Sequence, residues 1–103
     1  MTTLNFNVAG TTFGNRQNFL AGLARSKKPA KITLVRESDN KNDPNAIKVL
    51  MNTDHRFLIG YIPKEIAKSL ASVMDRHIFV HIDSHEIVGG KGLNYGLKLA
   101  VHY

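Results

Sequence analysis

The sequence predicts a mainly β domain with two helices, in the order β-α-β-β-β-α-β-β, folded as a small antiparallel barrel of the OB-like or SH3-like kind. Apolar and polar residues alternate in six short segments, which is the period of a half-buried strand. Only two segments have helical spacing, whereas a parallel sheet needs a helix between most of its strands. Connections are short, and closing the sheet into a barrel removes edges that would otherwise need protection.

The first 36 residues predict a strand, a helix and a second strand. Residues 4–8 alternate between apolar and polar side chains. A helix follows, with Asn15 or Thr12 as its cap, and the Lys-Lys-Pro segment at 27–29 ends it. Residues 32–36 alternate again and predict the second strand. One face of the helix carries its apolar residues, Phe19, Leu20, Leu23 and Ala24.

The next two strands are expected to form a hairpin that leads into the second helix. Residues 46–50 and 57–62 predict the strands, and residues 52–54 predict the turn between them. Gly60 lies within the fourth strand, where a glycine indicates a bulge or a close approach of another backbone. Pro63 is expected at the first helical position. The helix then presents an apolar stripe of Ile66, Ala67, Leu70, Val73 and Met74.

The last third predicts two more strands. Residues 76–87 alternate, residues 89–92 form a glycine-rich turn, and residues 95–101 alternate to the end. We expect one face of the fifth strand to be apolar and the opposite face to be rich in histidine. Alternate strand residues lie about 6.6 Å apart, so such a face converges poorly on a metal ion, and neither a metal nor another cofactor is expected. The apolar face is Ile78, Val80 and Ile82, and the polar face is His77, Phe79, His81, Asp83 and His85.

Composition narrows the class of protein. The 103 residues fit one domain, 1–103, and carry a formal net charge of +6 with a pI near 9.8. A basic balance attracts polyanions, and nucleic acid is the commonest polyanion in a cell. Cysteine is absent, which excludes a disulfide scaffold and a thiolate zinc site. No run reaches the about 20 apolar residues that cross a bilayer, so we expect a cytoplasmic or nucleoid-associated protein that does not contact the membrane.

A polar, turn-rich stretch carries the most specific motif. Residues 36–49 contain an acidic, asparagine-rich loop that closes in Asp-Pro-Asn-Ala-Ile-Lys-Val, and residues 59–62 read Ile-Gly-Tyr-Ile. Together with the Pro63 helix and the opening strand with its aromatic at Phe13, this resembles the HIRAN domain family over roughly residues 5–100. The resemblance implies an OB-like barrel, free-standing here, that binds single-stranded DNA at a free 3′ end without catalysis.

The resemblance also implies site residues. Asp43 would accept a hydrogen bond from a free 3′-hydroxyl and repel a phosphate at the same place. Phe13 would stack on a terminal base. Asn40 would bond sugar or phosphate oxygens and Lys64 a phosphate, with Tyr61 and Tyr95 nearby. Lys41 and Arg36 complete the expected DNA contacts. They belong to the most basic stretch of the sequence, residues 25–48, which contains seven basic and three acidic residues.

Two positions depart from the family pattern, and other interpretations stay open. Asn42 stands where end-binding members carry an aromatic, and Thr12 where they carry an arginine. Asp43 is equally good turn chemistry, Phe13 could plug the barrel end, and Tyr61 could simply be buried with one hydrogen bond. Two other functions compete with DNA binding, namely a protein-interaction or regulatory module and a small metal-dependent hydrolase. A monomer, acting with a nuclease or helicase partner, is the expected state.

Overall fold

The computed structural model describes residues 1–27 and 29–103, so Lys28 of the predicted helix break lies outside the described residues. The observed element order is the predicted one, and the mainly β class with two helices is confirmed. The elements are β1 (Thr3–Asn7), α1 (Arg16–Ser26), β2 (Lys31–Arg36), β3 (Ile47–Asn52), β4 (Arg56–Tyr61), α2 (Lys64–Asp75), β5 (His81–Gly90) and β6 (Leu93–His102).

The strands form two three-stranded antiparallel sheets, ordered β1-β6-β5 and β2-β3-β4. The chain just after β1 joins them. The N–H of Val8 donates to the carbonyl of Leu97 in β6 at 2.8 Å, and Ala9 and Tyr61 exchange two backbone hydrogen bonds of 2.8 and 2.9 Å. One side of a small barrel-like fold is therefore continuous. The opposite side, between β2 and β5, is not hydrogen bonded in the part of the chain that the structure describes, so the predicted closure into a barrel without edges is incomplete.

Gly60 permits the contact between the two sheets. A Cβ atom placed on Gly60 would lie 2.1 Å from the carbonyl oxygen of Ala9 and 2.8 Å from a methyl group of Val8. No side chain fits in that space, because the neighbour is backbone that already makes the Ala9–Tyr61 bridge. The expected close backbone approach at Gly60 is thus confirmed.

The core lies between the sheets and under both helices. Leu20 and Leu23 of α1 are buried, and Phe19 of the same helix stacks on Phe57 of β4, with ring centroids 4.2 Å apart. Among the described residues, no helix has both the length and the apolar composition needed to span a membrane. The largest fully buried side chains are Leu20, Ile47, Val49, Met51, Ile59, Leu70, Leu97, Leu99 and Val101.

The segment before β5 differs from the prediction. Residues 76–80 are not part of a strand, because the N–H groups of Arg76, His77 and Ile78 bond the last carbonyls of α2 and the chain turns through a positive φ of 61° at His77. Hydrogen bonding to the free carbonyl groups at the end of α2 therefore determines the conformation of this segment, rather than the alternating pattern. A bulge between Ile82 and Ser84 also breaks the alternation, so the two predicted faces of the fifth strand are wrong.

Smaller corrections concern the element ends. Pro63 lies just before α2 rather than at its first helical position. Ser26 ends α1, and Lys27 adopts the left-handed conformation and donates its N–H to the carbonyl of Leu23, which agrees with the predicted break. The glycine-rich turn is tighter than expected, because β5 continues to Gly90 and the chain reverses at residues 91–92.

Replacing Gly60 tests the contact that joins the sheets. Gly60→Ala should lower the free energy of unfolding by about 1–3 kcal/mol, because the new methyl group overlaps backbone that cannot yield without breaking the Ala9–Tyr61 bridge. Gly22→Ala is the matched control, since Gly22 lies in α1 with nothing within 4 Å of the added methyl group. It should be stabilising by up to about 1 kcal/mol. Urea unfolding of both variants would show an opposite sign; a tolerated Gly60→Ala would contradict the account.

Candidate nucleic-acid interface

An exposed aromatic ring projects from the loop between β1 and α1. The Phe13 side chain is 68% exposed, so the interpretation that it plugs the barrel is wrong. Arg16, the first residue of α1, donates from Nη1 to the carbonyl of Gly10 at 2.7 Å. Its guanidinium carbon lies 5.8 Å from the centre of the Phe13 ring. The loop therefore presents a flat apolar face with a positive charge against it, which suits a stacked base and its phosphate.

Gln17 fastens this loop to β6. Its side-chain amide donates to the carbonyls of Thr11 and Tyr95 at 2.9 and 2.8 Å, and its oxygen accepts from the N–H of Tyr95 at 2.7 Å. The ring of Tyr95 lies against Gly90 across the hairpin, in the space that a side chain there would occupy. Gln17 thus ties the backbone of Tyr95 to the Phe13 loop.

The loop between β2 and β3 is folded by its own polar side chains. Asn40 accepts from the N–H groups of Asn42 and Asp43 at 2.9 and 3.0 Å and donates to Glu37 at 2.6 Å. Asp43 accepts from the N–H of Asn45 through Oδ1, at 2.9 Å. Its other oxygen, Oδ2, accepts no hydrogen bond from the residues that the structure describes. Asp43 therefore shapes the turn and still offers one carboxylate oxygen from a half-buried position.

Glu37 connects this loop to β4 and β3. The hydroxyl of Tyr61 donates to Glu37 at 3.1 Å, and Nζ of Lys48 lies 2.9 Å from the same carboxylate. The hydrogen bond from Lys48, followed by that from Asn40, lowers the pKa of Glu37 below its ordinary value. Burial, then the hydrogen bond to Glu37, raises the pKa of Tyr61, and the charges of Lys48 and then Arg16 oppose that rise. Tyr61 is therefore held as a neutral donor between a carboxylate and a guanidinium.

These contacts join the two loops into one surface. Arg16 lies against Phe13 and close enough to Tyr61 to influence its ionisation, while Tyr61 bonds Glu37 and Glu37 bonds Asn40. Asn40 in turn holds the N–H of Asp43. The contacts thus connect four predicted site residues, and Tyr95 is tied to the Phe13 loop through Gln17. Lys64 is related to them only by its place in the chain, three residues after Tyr61. The four connected residues are Phe13, Asn40, Asp43 and Tyr61.

The three predicted cations differ in how free they are. Arg36 makes a two-pronged ion pair with Asp75 of α2 at 2.9 and 3.1 Å and donates to the carbonyl of Ala46 at 2.9 Å. The hydrogen bond with Asp75 is the main reason that the pKa of Arg36 is raised. Lys41 and Lys64 are exposed and form no ion pair with the described residues. Arg36 therefore braces the barrel, while the two lysines remain available to phosphates.

Sequence reasoning did not place Arg16, Glu37 or Lys48 in the site. Thr12 stands where the family pattern has an arginine, but the structure supplies a guanidinium to Phe13 from Arg16, one turn further on. The sequence contained a signal for this contact. Arg16 lies three positions after Phe13 at the start of a predicted helix, where a side chain can reach back to the preceding loop. Within residues 1–27 and 29–103, no group of three or more His, Asp and Glu side chains is arranged to hold a metal ion.

The model of the HIRAN domain family matches residues 1–101 of the chain. A curated protein, the Fanconi-associated nuclease 1 homolog of Oryza sativa subsp. japonica, is 49% identical over 49 residues. That match covers 47% of this chain and 5% of the rice protein, so the chain corresponds to a small part of that relative. No solved structure matches the chain.

The two carboxylates with lowered pKa values predict how stability depends on pH. Ion pairing with Lys48 and Arg36 lowers the pKa of Glu37 and of Asp75, respectively, in the folded protein. The stability that these pairs contribute is present above the ordinary carboxyl pKa, about 4, and is lost as the pH falls through the lower folded values. Melting temperatures measured from pH 7 to pH 3 should therefore decline below about pH 4.

Removing one of those carboxylates identifies the source of the decline. Asp75→Asn should lower the melting temperature at pH 7 and flatten its dependence on pH, because Arg36 then has no titrating partner. Glu86→Gln is the matched control, since Glu86 is an exposed carboxylate on β5 without an ion pair to the described residues. An unchanged pH profile in Asp75→Asn would contradict the assignment.

Proposed function

The chain belongs to the HIRAN domain family, a family of DNA-binding domains, and from this premise we propose that it is a non-catalytic module that holds single-stranded DNA at a free 3′ end. The observation that carries the proposal is the surface that runs from the exposed Phe13 ring to the available oxygen of Asp43. In this proposal the Phe13 ring serves as a stacking platform and the Asp43 oxygen as a hydroxyl acceptor, and the contacts of Tyr61, Glu37 and Asn40 that connect them support it.

The free oxygen of Asp43 accounts for selectivity toward a strand end. A 3′-hydroxyl can donate a hydrogen bond to Oδ2 while Oδ1 keeps the N–H of Asn45. A continuing strand or a 3′-phosphate would bring an anion to the carboxylate instead, and the two charges would repel each other. One side chain therefore attracts the correct end and rejects the incorrect one.

The Phe13 loop supplies the sequence-independent part of the affinity. A base stacked on an exposed aromatic ring gains about 1–3 kcal/mol, whichever base it is. Arg16 lies against that ring and can reach the adjacent phosphate, which compensates for the threonine at position 12. Lys64 and Lys41 are exposed and add positive charge that phosphates can meet. Asn40 and Arg36 act in this proposal by positioning the loop, because their polar groups already bond protein atoms.

The biological setting follows from the same chemistry. The name of the rice relative is that of a nuclease, and an enzyme that trims or repairs strands needs a partner that finds their ends. We place this chain beside such a nuclease or helicase as a monomeric, cytoplasmic or nucleoid-associated DNA-end binder. The aligned part of the rice protein is a small fraction of its length, which is consistent with an accessory module rather than a catalytic centre.

A comparison of three oligonucleotides tests strand-end recognition. A labelled dT12 oligonucleotide with a free 3′-hydroxyl should bind at least about tenfold more tightly than the same strand with a 3′-phosphate or in circular form, because only the first donates to Asp43. Fluorescence anisotropy at low salt measures each dissociation constant. Asp43→Asn should abolish the preference while leaving the affinity for the other two forms similar or higher, since the repelling charge is gone.

Asp39→Asn is the control for the general effect of removing a loop carboxylate, because Asp39 is exposed in the same loop. It should raise affinity for all three oligonucleotides alike and keep the preference. Equal binding of the three forms by the unaltered protein would overturn end recognition, and failure to retain any of them at low salt would overturn DNA binding by this surface.

The role of Arg16 can be measured from the salt dependence of binding. Arg16→Ala should weaken binding of dT12 several-fold and reduce the slope of log K against log salt by about 0.7, the value for one phosphate contact on a single strand. Arg25→Ala is the matched control, because Arg25 is exposed in the last turn of the same helix. A slope that changes equally in both variants would show that Arg16 contributes only net charge.

A further inference from the structure

A groove follows the side of the barrel where the two sheets fail to meet. It has a volume of ≈ 810 Å³ and is lined by residues 30–34 of β2 and its approach, by Met74 at the end of α2, and by the segment that leads into β5. Each sheet ends here in an edge strand, β2 on one side and β5 on the other. None of the DNA-site residues described above lines this groove.

The β2 edge offers its backbone to the groove. Glu37 donates its N–H to the carbonyl of Ala46, in register with the β2–β3 ladder. Paired and unpaired residues alternate along an antiparallel strand, so the N–H and C=O groups of Ile32 and Leu34 point away from β3. Both residues line the groove, and no described residue hydrogen bonds these groups. They form an open template for one more strand.

The groove is apolar on its floor and aromatic at its rim. Leu34, Met74 and Ile82 are half-buried along it. Phe79 is 72% exposed, and its ring packs edge-on against His81. His81 in turn stacks on His102, so the three rings form a continuous aromatic surface at the rim. Exposed aromatic and aliphatic side chains beside an unpaired strand edge are features of a surface that binds an extended peptide.

The polar side chains along the groove include one cation and no anion among the described residues. Its lining residues with ionisable side chains are Lys31, His77, His81 and His85, and no described aspartate or glutamate lines it. Two carboxylates close in sequence already have partners: Asp83 pairs with His102, beside the rim, and Asp75 pairs with Arg36. In a chain of net charge +6, such a rim favours an occupant that carries acidic groups.

We propose that this groove binds an extended peptide of alternating apolar and acidic residues, which adds to β2 as an extra strand. Its backbone pairs with Ile32 and Leu34, its apolar side chains cover Leu34, Met74 and Ile82, and its carboxylates meet Lys31 and the histidines. Because β2 has six residues, a matching segment is about six to eight residues long. The partner is thus a protein with such a segment, bound at a surface separate from the proposed DNA site.

The same features favour a peptide over a nucleic-acid strand. A single strand bound without sequence preference needs several cations along its backbone, whereas among the described lining residues Lys31 is the one lysine and there is no arginine. The free N–H and C=O groups of a strand edge match a peptide backbone, which has both donors and acceptors in register, whereas a phosphodiester has only acceptors.

The test uses synthetic eight-residue peptides and amide exchange. A labelled peptide that alternates Val or Phe with Glu should bind with a dissociation constant in the micromolar range, and its Lys-for-Glu counterpart at least tenfold more weakly. On binding, the Ile32 and Leu34 amides of ¹⁵N-labelled protein should become protected from hydrogen exchange. A peptide with proline at the pairing positions should fail to bind, because it cannot donate to the edge.

Two exposed hydrophobic residues provide matched variants. Phe79→Glu places a repelling charge on the rim and should weaken the acidic peptide at least tenfold, whereas Leu93→Glu, on a side chain 74% exposed at the β5–β6 turn and outside the groove, should change binding less than threefold. The proposal is overturned if none of the Glu-containing peptides binds, if both variants weaken binding equally, or if dT12 rather than the peptide protects the Ile32 and Leu34 amides.

Discussion

The close contact between residues 8–9 and Gly60–Tyr61 is the constraint on which the architecture depends. Each sheet has only three strands, and neither could bury its apolar face alone. The Ala9–Tyr61 bridge holds the sheets edge to edge, so that their inner faces enclose one core. It is possible because position 60 has no side chain, and it orients Tyr61 so that its hydroxyl reaches Glu37. The same contact therefore closes the barrel and begins the polar network of the site.

That network explains how a site can be assembled from loops that belong to different sheets. Phe13 follows β1, whereas Asp43 precedes β3, and the direct backbone link between their sheets ends at Tyr61. From there the connection is made by side chains, through Glu37 to Asn40 and onward to the amide of Asp43. A carboxylate in the middle of a DNA-binding surface would ordinarily repel the ligand, but Glu37 is neutralised by Lys48 and occupied by two further donors. The charge of Glu37 thereby orders the loop, while the charge of Asp43 is available for the proposed discrimination between strand ends.

Periodicity predicted this fold well where packing and local preference agree. The β2, β3 and β4 strands and both helices appear within one or two residues of the predicted positions, because their apolar periods face a single core. The prediction was wrong at residues 76–80, where an alternating pattern follows a helix whose terminal carbonyls still need partners. The alternation of apolar and polar residues does not show whether the carbonyl groups at the end of the preceding helix have hydrogen-bond partners. Arg16 was missed although its place at the start of α1 offered a signal, because its closeness to Phe13 also depends on the turn before the helix, where Gly10 and Gly14 have positive φ.

The open side of the barrel poses a physical problem of its own. An unpaired edge next to apolar side chains promotes association with other chains, and natural proteins discourage this with lysine residues and bulges. Both devices are present, in Lys31 at the start of β2 and in the bulge after Ile82 of β5. Neither device covers the apolar floor of the groove, however. Lys31 only favours an approaching segment that carries negative charge. A second copy of this chain would bring Lys31 and a net charge of +6 against the same charges, so self-pairing is opposed. An acidic segment meets no such opposition, and the edge therefore selects a different protein as its partner.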